Sequence, residues 1–464
     1  MGTVPLMSDL IVSGERVVLP AGMQPASVHV RDGSIVAIGG YRDRHAGVPV
    51  VDAGALVVLP GLVDTHVHLN DPGRAEWEGF ETGTRAAAAG GVTTIVDMPL
   101  NSVPATVDAS AFGAKMQAAR GRCAIDVGFW GGVVPGNASA LEPLVARGVL
   151  GFKCFLSPSG VAEFEHVGER DLEIALPILA RLGVPLLVHA EWPPALVEID
   201  RSKDPRDYHT WLSSRPPASE QAAIDLLIRL GFQHRARIHI VHLASADTLA
   251  SLRAARRAGA DISVETCPHY LTFDAEHIPP GSTAFKCAPP IREARHRESL
   301  WAALAGGDID LIATDHSPAP PALKSVDAGD FVTAWGGIAS VQLGLEAVWT
   351  GAEARGITLE HLAGWLAAAP AKLAGLDDRK GAIAPGCDAD LVFFDPDATA
   401  VVDPAALFHR HPMTPYAGMQ LKGMIHKTML RGEVVFEEGA FRSASSGRLL
   451  LERRRLDNAR IGVS

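Results

Sequence analysis

Cysteine is scarce in this chain: five in 464 residues. Cys123, Cys154, Cys267, Cys287 and Cys387 are odd in number, scattered, and contain no C-x-x-C pair, so neither a disulfide framework nor a cysteine zinc site is indicated. No apolar run approaches the roughly 20 residues needed to cross a bilayer. The first residues, Met1 to Asp9, lack the basic start and apolar core of a secretion signal. Positive charge is in deficit as well. Lys and Arg total 42 against 53 Asp and Glu, and the net charge of -11 disfavours nucleic acid or anionic membrane as a partner. No solenoid-length repeat or low-complexity tract is present. These absences predict a soluble cytoplasmic protein.

What remains is ample material for a core. Hydrophobic residues make up 47% and charged residues 20%, without a disorder signature. Residues 1–58 read as short β-branched strands, such as Glu15 to Leu19 and Ser27 to Arg31, broken by the turn dipeptides Ser13-Gly14 and Asp32-Gly33. The same texture returns over 381–440, in Ala389 to Phe394 and Lys427 to Phe436. Small hairpins are marginal alone, so the two flanks predict one composite β-sandwich domain built from both ends. Residues 441–464, with the run Glu452-Arg453-Arg454-Arg455, read as a solvated tail.

Between the flanks, over 59–380, buried strands alternate with amphipathic segments, the pattern of parallel βα units. Eight strands are predicted: 62–68, 92–98, 126–131, 149–156, 184–189, 238–242, 261–266 and 309–314. Helices are read at 83–89, 171–182, 219–230, 246–258 and 295–304. The fold class is therefore α/β, a TIM-like (β/α)8 barrel with a small appended β-sandwich.

Such a barrel assembles its active site at the C-terminal ends of the strands. His66 and His68 end the first strand at an i, i+2 spacing that puts both imidazoles on one face, just before an Asn-Asp-Pro-Gly turn. Lys153 lies in the fourth strand; His189 ends the fifth, His242 the sixth, and Asp315 the eighth. Each alone reads equally well as a strand-end histidine, a snorkelling lysine or a capping aspartate. Five strand ends that each supply a ligand-capable group point to a metal site.

Together the H-V-H pair, the strand-four lysine, the two later histidines and the Thr314-Asp315-His316-Ser317-Pro318 stretch resemble the cyclic amidases of the amidohydrolase superfamily: dihydroorotases, hydantoinases and allantoinases. The resemblance covers nearly the whole chain. Within that group, the stretches from Asn70 to Phe80, from Met98 to Pro104 and from Phe285 to Arg292 resemble allantoinases. A dihydroorotase would carry Arg at Asn70 and read M-P-N where this chain reads Met98-Pro99-Leu100-Asn101. A hydantoinase would carry Tyr at Pro158.

The resemblance implies a binuclear centre, with zinc as the default and cobalt, manganese or iron as alternatives. It further implies that Lys153 is carbamylated and bridges the metals, with His66 and His68 on one ion, His189 and His242 on the other, and Asp315 on one of them. Two divalent ions on neutral histidines and one aspartate would leave about +3, an excess that favours the further anion a carbamate supplies. Hydrolysis would open the hydantoin ring of allantoin to allantoate by attack of a metal-bridging hydroxide. Asp315 would accept the proton and pass it to the leaving nitrogen. Asn70, Asn101, Cys287 and Ser317 are the expected substrate contacts. The runner-up activities are those of a hydantoinase or dihydroorotase. A non-catalytic scaffold on the same fold is disfavoured by the presence of all six ligand-type residues. The implied assembly is a homotetramer. Cys287 as a nucleophile is disfavoured because no Cys-His pairing is evident. His269 is expected to support the site or to be merely hydrogen-bonded, and His239, three residues from His242, to point to the opposite face. His316 and Arg74 stay open between substrate contact and structural polarity.

Overall fold

A computed structural model describes residues 9–442 and 445–452. Three parallel strands, Leu62–Val67, Val92–Asp97 and Asp126–Phe129, lie side by side. Six further parallel strands continue the curve: Gly131–Gly132, Phe152–Phe155, Leu186–His189, Ile238–Ile240, Ile262–Thr266 and Leu311–Ile312. The third predicted strand is split at Trp130, whose fully buried indole donates to the Thr65 carbonyl at 2.8 Å. A single parallel bridge between Val67 and His316 closes the ring. Asp64 reinforces that seam by accepting from Thr314 Oγ1 at 2.5 Å and from the Thr314 amide at 3.2 Å. All eight predicted strands are therefore found, the last shortened to two residues.

The helices fall where their periodicity places them. Phe80–Ala89, Glu169–Leu182, Pro217–His234 and Ala294–Ala305 each start before the predicted segment, and Leu249–Arg257 follows a short 3-10 turn. Glu169–Leu182 starts at Gly168, whose amide donates to the Asp171 carboxylate at 3.0 Å, and ends at Gly183 with a left-handed φ of 66°. Its apolar face is buried through Leu172, Ala175, Leu176 and Leu179.

The two β-rich flanks merge into one nine-stranded sheet. Its centre is the antiparallel pairing of Leu391–Val401 with Val57–Pro60, which joins the C-terminal segment to the N-terminal one. Leu10–Leu19, Gly22–Arg31 and Ser34–Gly39 extend it on one side; Gln420–Leu430, Glu433–Glu437 and Ala440–Phe441 extend it on the other. Val12, Val28, Val58, Leu391 and Phe393 form its own buried core. The layer meets the barrel where Thr428 Oγ1 donates to the Ala88 carbonyl at 2.8 Å.

The tail departs from expectation. Its described part is not solvated: the Val127 amide donates to the Arg448 carbonyl at 2.9 Å, and the Leu450 amide to the Val127 carbonyl at 2.8 Å. Leu450 is buried among barrel residues, because the apolar run Leu449-Leu450-Leu451 inside a polar stretch docks it, with Leu449 and Leu451 packed alongside. The Arg453 to Arg455 run lies outside the described residues.

Candidate active site

In a parallel sheet, register partners point to the same face. Lys153, Leu187, His239 and Ser263 are partners across four adjacent strands, and Phe155 pairs with His189. Lys153 and His189 therefore face the barrel interior. His66 and His68 join them, since Val67 between them packs outward into the larger core. His242 and Asp315 follow their strands with φ of 40° and 47°; Asn70 and Asn101 sit at 62° and 66°. Positive φ is costly for residues other than glycine and clusters where a site demands it.

The six predicted ligands converge. Asp315 Oδ1 is 3.1 Å from His66 Nε2 and 3.5 Å from His68 Nε2. The His66 ring centroid is 5.3 Å from that of His242, which is 4.7 Å from that of His189. Lys153 Nζ lies 4.9 Å from the Phe155 ring centroid, and the same ring stacks on His189 at 4.5 Å. Lys153 Nζ, His68 Nδ1 and His242 Nδ1 are all buried without a hydrogen-bond partner. An unpaired buried polar atom costs about 1–3 kcal/mol. Three together, beside a carboxylate and two further imidazoles, fit a metal-binding donor set better than a packed core.

The electrostatics keep those donors in ligand form. Burial holds the His68 imidazole down at about 4, that of His242 well below its usual range, and that of His189 low despite Glu191. Burial lowers Lys153 to about 8, so its amine loses a proton far more readily than in water. Burial would raise the Asp315 carboxyl, but His66 and His68 outweigh it and hold the group well below the carboxylate range.

Two carboxylates that sequence reasoning missed orient the histidines. Glu265 Oε1 is 2.5 Å from His66 Nδ1, and Glu265 Oε2 is 3.0 Å from His239 Nε2. Glu191 Oε2 is 2.6 Å from His189 Nε2 and also pairs with Arg215. Both carboxyls lie at about 2: burial pushes them up, His66 with His239 in one case and Arg215 with His189 in the other pull them down further. A carboxylate behind a histidine fixes the ring and leaves its other nitrogen for a metal. His239 thus corrects an expectation. The strand ends at Ile240 and His242 takes a left-handed φ, so strict alternation fails and His239 also points inward, to Ser263 and Glu265. In sequence, only the alternation Ser263-Val264-Glu265 hinted that an acid faces the interior.

Of the six candidate ligands, all but Lys153 line a cavity of about 220 Å³. Asn101, Cys287 and Ser317 line it. Asn70 does not: it is fully buried behind the wall, its Nδ2 3.5 Å from the Pro318 carbonyl, where it braces the loop after Asp315. The Cys287 thiol points at the Pro289 carbonyl, 3.2 Å away, and burial pushes it up to about 12, which leaves it a poor nucleophile. Ser317 Oγ donates to the Asp315 carbonyl at 3.0 Å. His269 is buried with neither ring nitrogen paired. His316 is structural; its Nδ1 accepts from the Ser340 amide at 3.0 Å and the Val341 amide at 3.3 Å. Arg74 ties the first loop to the second through the Asn101 carbonyl at 2.8 Å, and to the fourth through Glu163. Trp211, Arg215 and Lys286 complete the wall; Trp211 and Arg215 lie on a connection where neither period nor motif marks a site, and Lys286 lies in the 285–292 stretch beside Cys287, the residue expected there as the contact.

The family model for the amidohydrolase family matches residues 57–435. The chain belongs to the amidohydrolase family. Among curated amidohydrolases, it is 48% identical over 447 residues to the allantoinase of Streptomyces avermitilis, covering 96% of this chain and 99% of that one. It is 42% identical over 462 residues to the allantoinase of Saccharomyces cerevisiae, covering 96% and 99%. The L-hydantoinase of Arthrobacter aurescens superposes with a TM-score of 0.90 at 30% identity, covering 96% of this chain and all of that one. A D-hydantoinase from Thermus sp. gives 0.87 at 26%, covering 96% and 99%. These hydantoinase structures carry the same barrel and β-sandwich. Among the described residues, no helix of this amidohydrolase is long and apolar enough to cross a membrane.

Proposed function

We infer that the chain is an allantoinase, opening the hydantoin ring of allantoin to allantoate. The observation that carries the chemistry is the convergence of four imidazoles and Asp315 on one cavity, with Lys153 buried against Phe155 of its wall. Identity of 40–48% to allantoinases over most of the chain carries the substrate. On this reading, His66, His68, His189, His242, Asp315 and a carbamylated Lys153 hold two divalent ions, zinc by default. Such ions, when bound, make water acidic and polarise the scissile carbonyl. The readily deprotonated Lys153 amine supports carbamylation.

The chain's own residues supply the rest. Glu265 and Glu191 hold His66 and His189 in one tautomer each. Asp315, ionised at neutral pH with Oδ1 facing His66 and His68, keeps Oδ2 to take the proton of the attacking water and deliver it to the leaving ring nitrogen. Asn101, Cys287 and Ser317, through backbone as well as side chains, seat the ring, while Phe155 and Trp335 shield it from bulk water. A cytoplasmic homotetramer is proposed on the resemblance alone; light scattering of the purified protein tests the assembly.

A side-by-side assay of ring opening tests the substrate. Catalytic efficiency for allantoin is expected to exceed that for dihydroorotate and 5-substituted hydantoins by at least about a hundredfold, the scale of two or three placed polar contacts. A preference for either competitor overturns the reading.

A further inference from the structure

Allantoin is a hydantoin ring bearing a ureido arm, and one wall of the cavity takes no part in the chemistry above. Trp211, Arg215 and Lys286 form it. The Arg215 guanidinium lies 4.7 Å and the Lys286 ammonium 4.2 Å from the Trp211 ring centroid, so one indole supports both cations.

Most donors at this wall are already spent. Trp211 Nε1 donates to the Cys287 carbonyl at 3.0 Å. Lys286 Nζ donates to the carbonyls of Val332 at 3.1 Å and Ala334 at 2.5 Å. Ser317 Oγ is committed to the Asp315 carbonyl. Arg215 differs: Nη1 pairs with Glu191, while no acceptor meets Nε or Nη2 among the described residues. Its side chain is 17% exposed and borders the cavity. A guanidinium carries five donors in a rigid plane. Its charge is already answered by Glu191, so the free edge suits a neutral acceptor better than a second anion. Its tie to Glu191, and through it to His189, also fixes that edge relative to the reacting centre.

We propose that Arg215 is the specificity-determining residue for the ureido arm, donating through Nε and Nη2 to the arm's carbonyl oxygen. The inference rests on the allantoinase reading and deepens it. It separates the arm from the ring: Asn101 and the loops of Cys287 and Ser317 hold what every cyclic amide of this kind shares, and Arg215 reads what allantoin adds.

The test compares allantoin with unsubstituted hydantoin, which has the ring and no arm, in the metal-loaded wild type and in Arg215→Lys and Arg215→Gln. Hydantoin is read by its turnover or by its inhibition constant against allantoin, and metal content is measured on each preparation. The expected result is a loss of at least about tenfold in kcat/KM for allantoin, carried mainly by KM, with hydantoin changed less than about threefold and metal retained. Arg215→Lys, which keeps a cation beside Glu191, separates loss of the fork from loss of the ion pair. Equal losses on both compounds, or metal loss in Arg215→Lys, would show that Arg215 acts only through Glu191 and would overturn this inference alone. A wild type inactive on allantoin but active on hydantoin would instead remove the proposed function, and this inference with it.

Discussion

Asp315 shows how much of the chemistry rests on single atoms. Its ionised carboxylate faces two imidazoles at 3.1 and 3.5 Å. Asp315→Asn keeps the shape but cannot accept a proton, so kcat should fall about 10²–10⁴-fold, the usual contribution of a positioned acid and base. Steady-state kinetics with metal analysis on the same sample checks this; full activity with metal retained would exclude the role. Lys153→Ala should lose metal and activity together, because the unpaired Nζ would be the anchor of a bridging anion rather than a cation. Added short carboxylic acids should restore part of both, and an unmodified Lys153 by intact mass in fully active enzyme would refute the carbamate. The places of the six candidate ligands were legible in sequence because H-x-H and strand-end positions survive any error of a residue or two in strand length. Glu265 and Glu191 were not, since their meaning depends on which histidine each meets across the barrel. The placement of Asn70 was not legible either: it stands two residues after the H-x-H pair, yet its side chain lies behind the wall against the Pro318 carbonyl.

At the scale of elements, two buried lysines bind the loops into one wall. Lys324 Nζ donates to the carbonyls of Lys286 at 3.1 Å and Gly337 at 2.8 Å, and Lys286 reaches two more carbonyls of the same segment. Trp335, carried by that segment, meets Trp77 of the first loop edge-on with centroids 5.0 Å apart. Lys324 lies outside the cavity, so Lys324→Met should loosen the wall without touching the reacting atoms. KM should rise about tenfold with kcat within about threefold. A fall in kcat alone would contradict this. Strands and helices of the barrel were readable from periodicity because each buries a continuous face. The 318–337 segment has no period, and its one lysine, Lys324, looks like a surface residue until the carbonyls it serves are in place.

The whole molecule is held at the opposite end of the barrel by a charge cluster that no local pattern announces. Lys380 Nζ lies 2.7 Å from Asp126, 2.8 Å from Asp388 and 2.7 Å from Asp390, with Arg431 at 2.5 Å from Asp126 and Arg379 at 2.9 Å from Asp388. Asp126 begins the third barrel strand, Asp390 precedes the central strand of the β layer, and Asp126 Oδ1 also accepts the Arg448 amide of the tail. Three parts of the chain, more than 300 residues apart at the extreme, thus share one buried ion network. The sequence predicts the composite β domain from matching texture at its two ends, but pairing over such distances is invisible until the chain closes. Burial disfavours the charges, yet removing Lys380 leaves buried Asp390 without a cation while Asp126 keeps Arg431 and Asp388 keeps Arg379, and a buried charge stripped of its partner costs about 3–5 kcal/mol. Lys380→Met should therefore lower the unfolding temperature by several degrees and release the tail to proteolysis. Asp126 starts its strand, whereas the active site collects at strand ends, so kcat/KM of the folded variant at 25 °C should stay within about threefold of wild type. Thermal unfolding and kinetics on one preparation test both halves. An unchanged unfolding temperature would show that the cluster is electrostatically neutral to the fold, and lost activity in a folded variant would show that the two ends of the barrel are coupled.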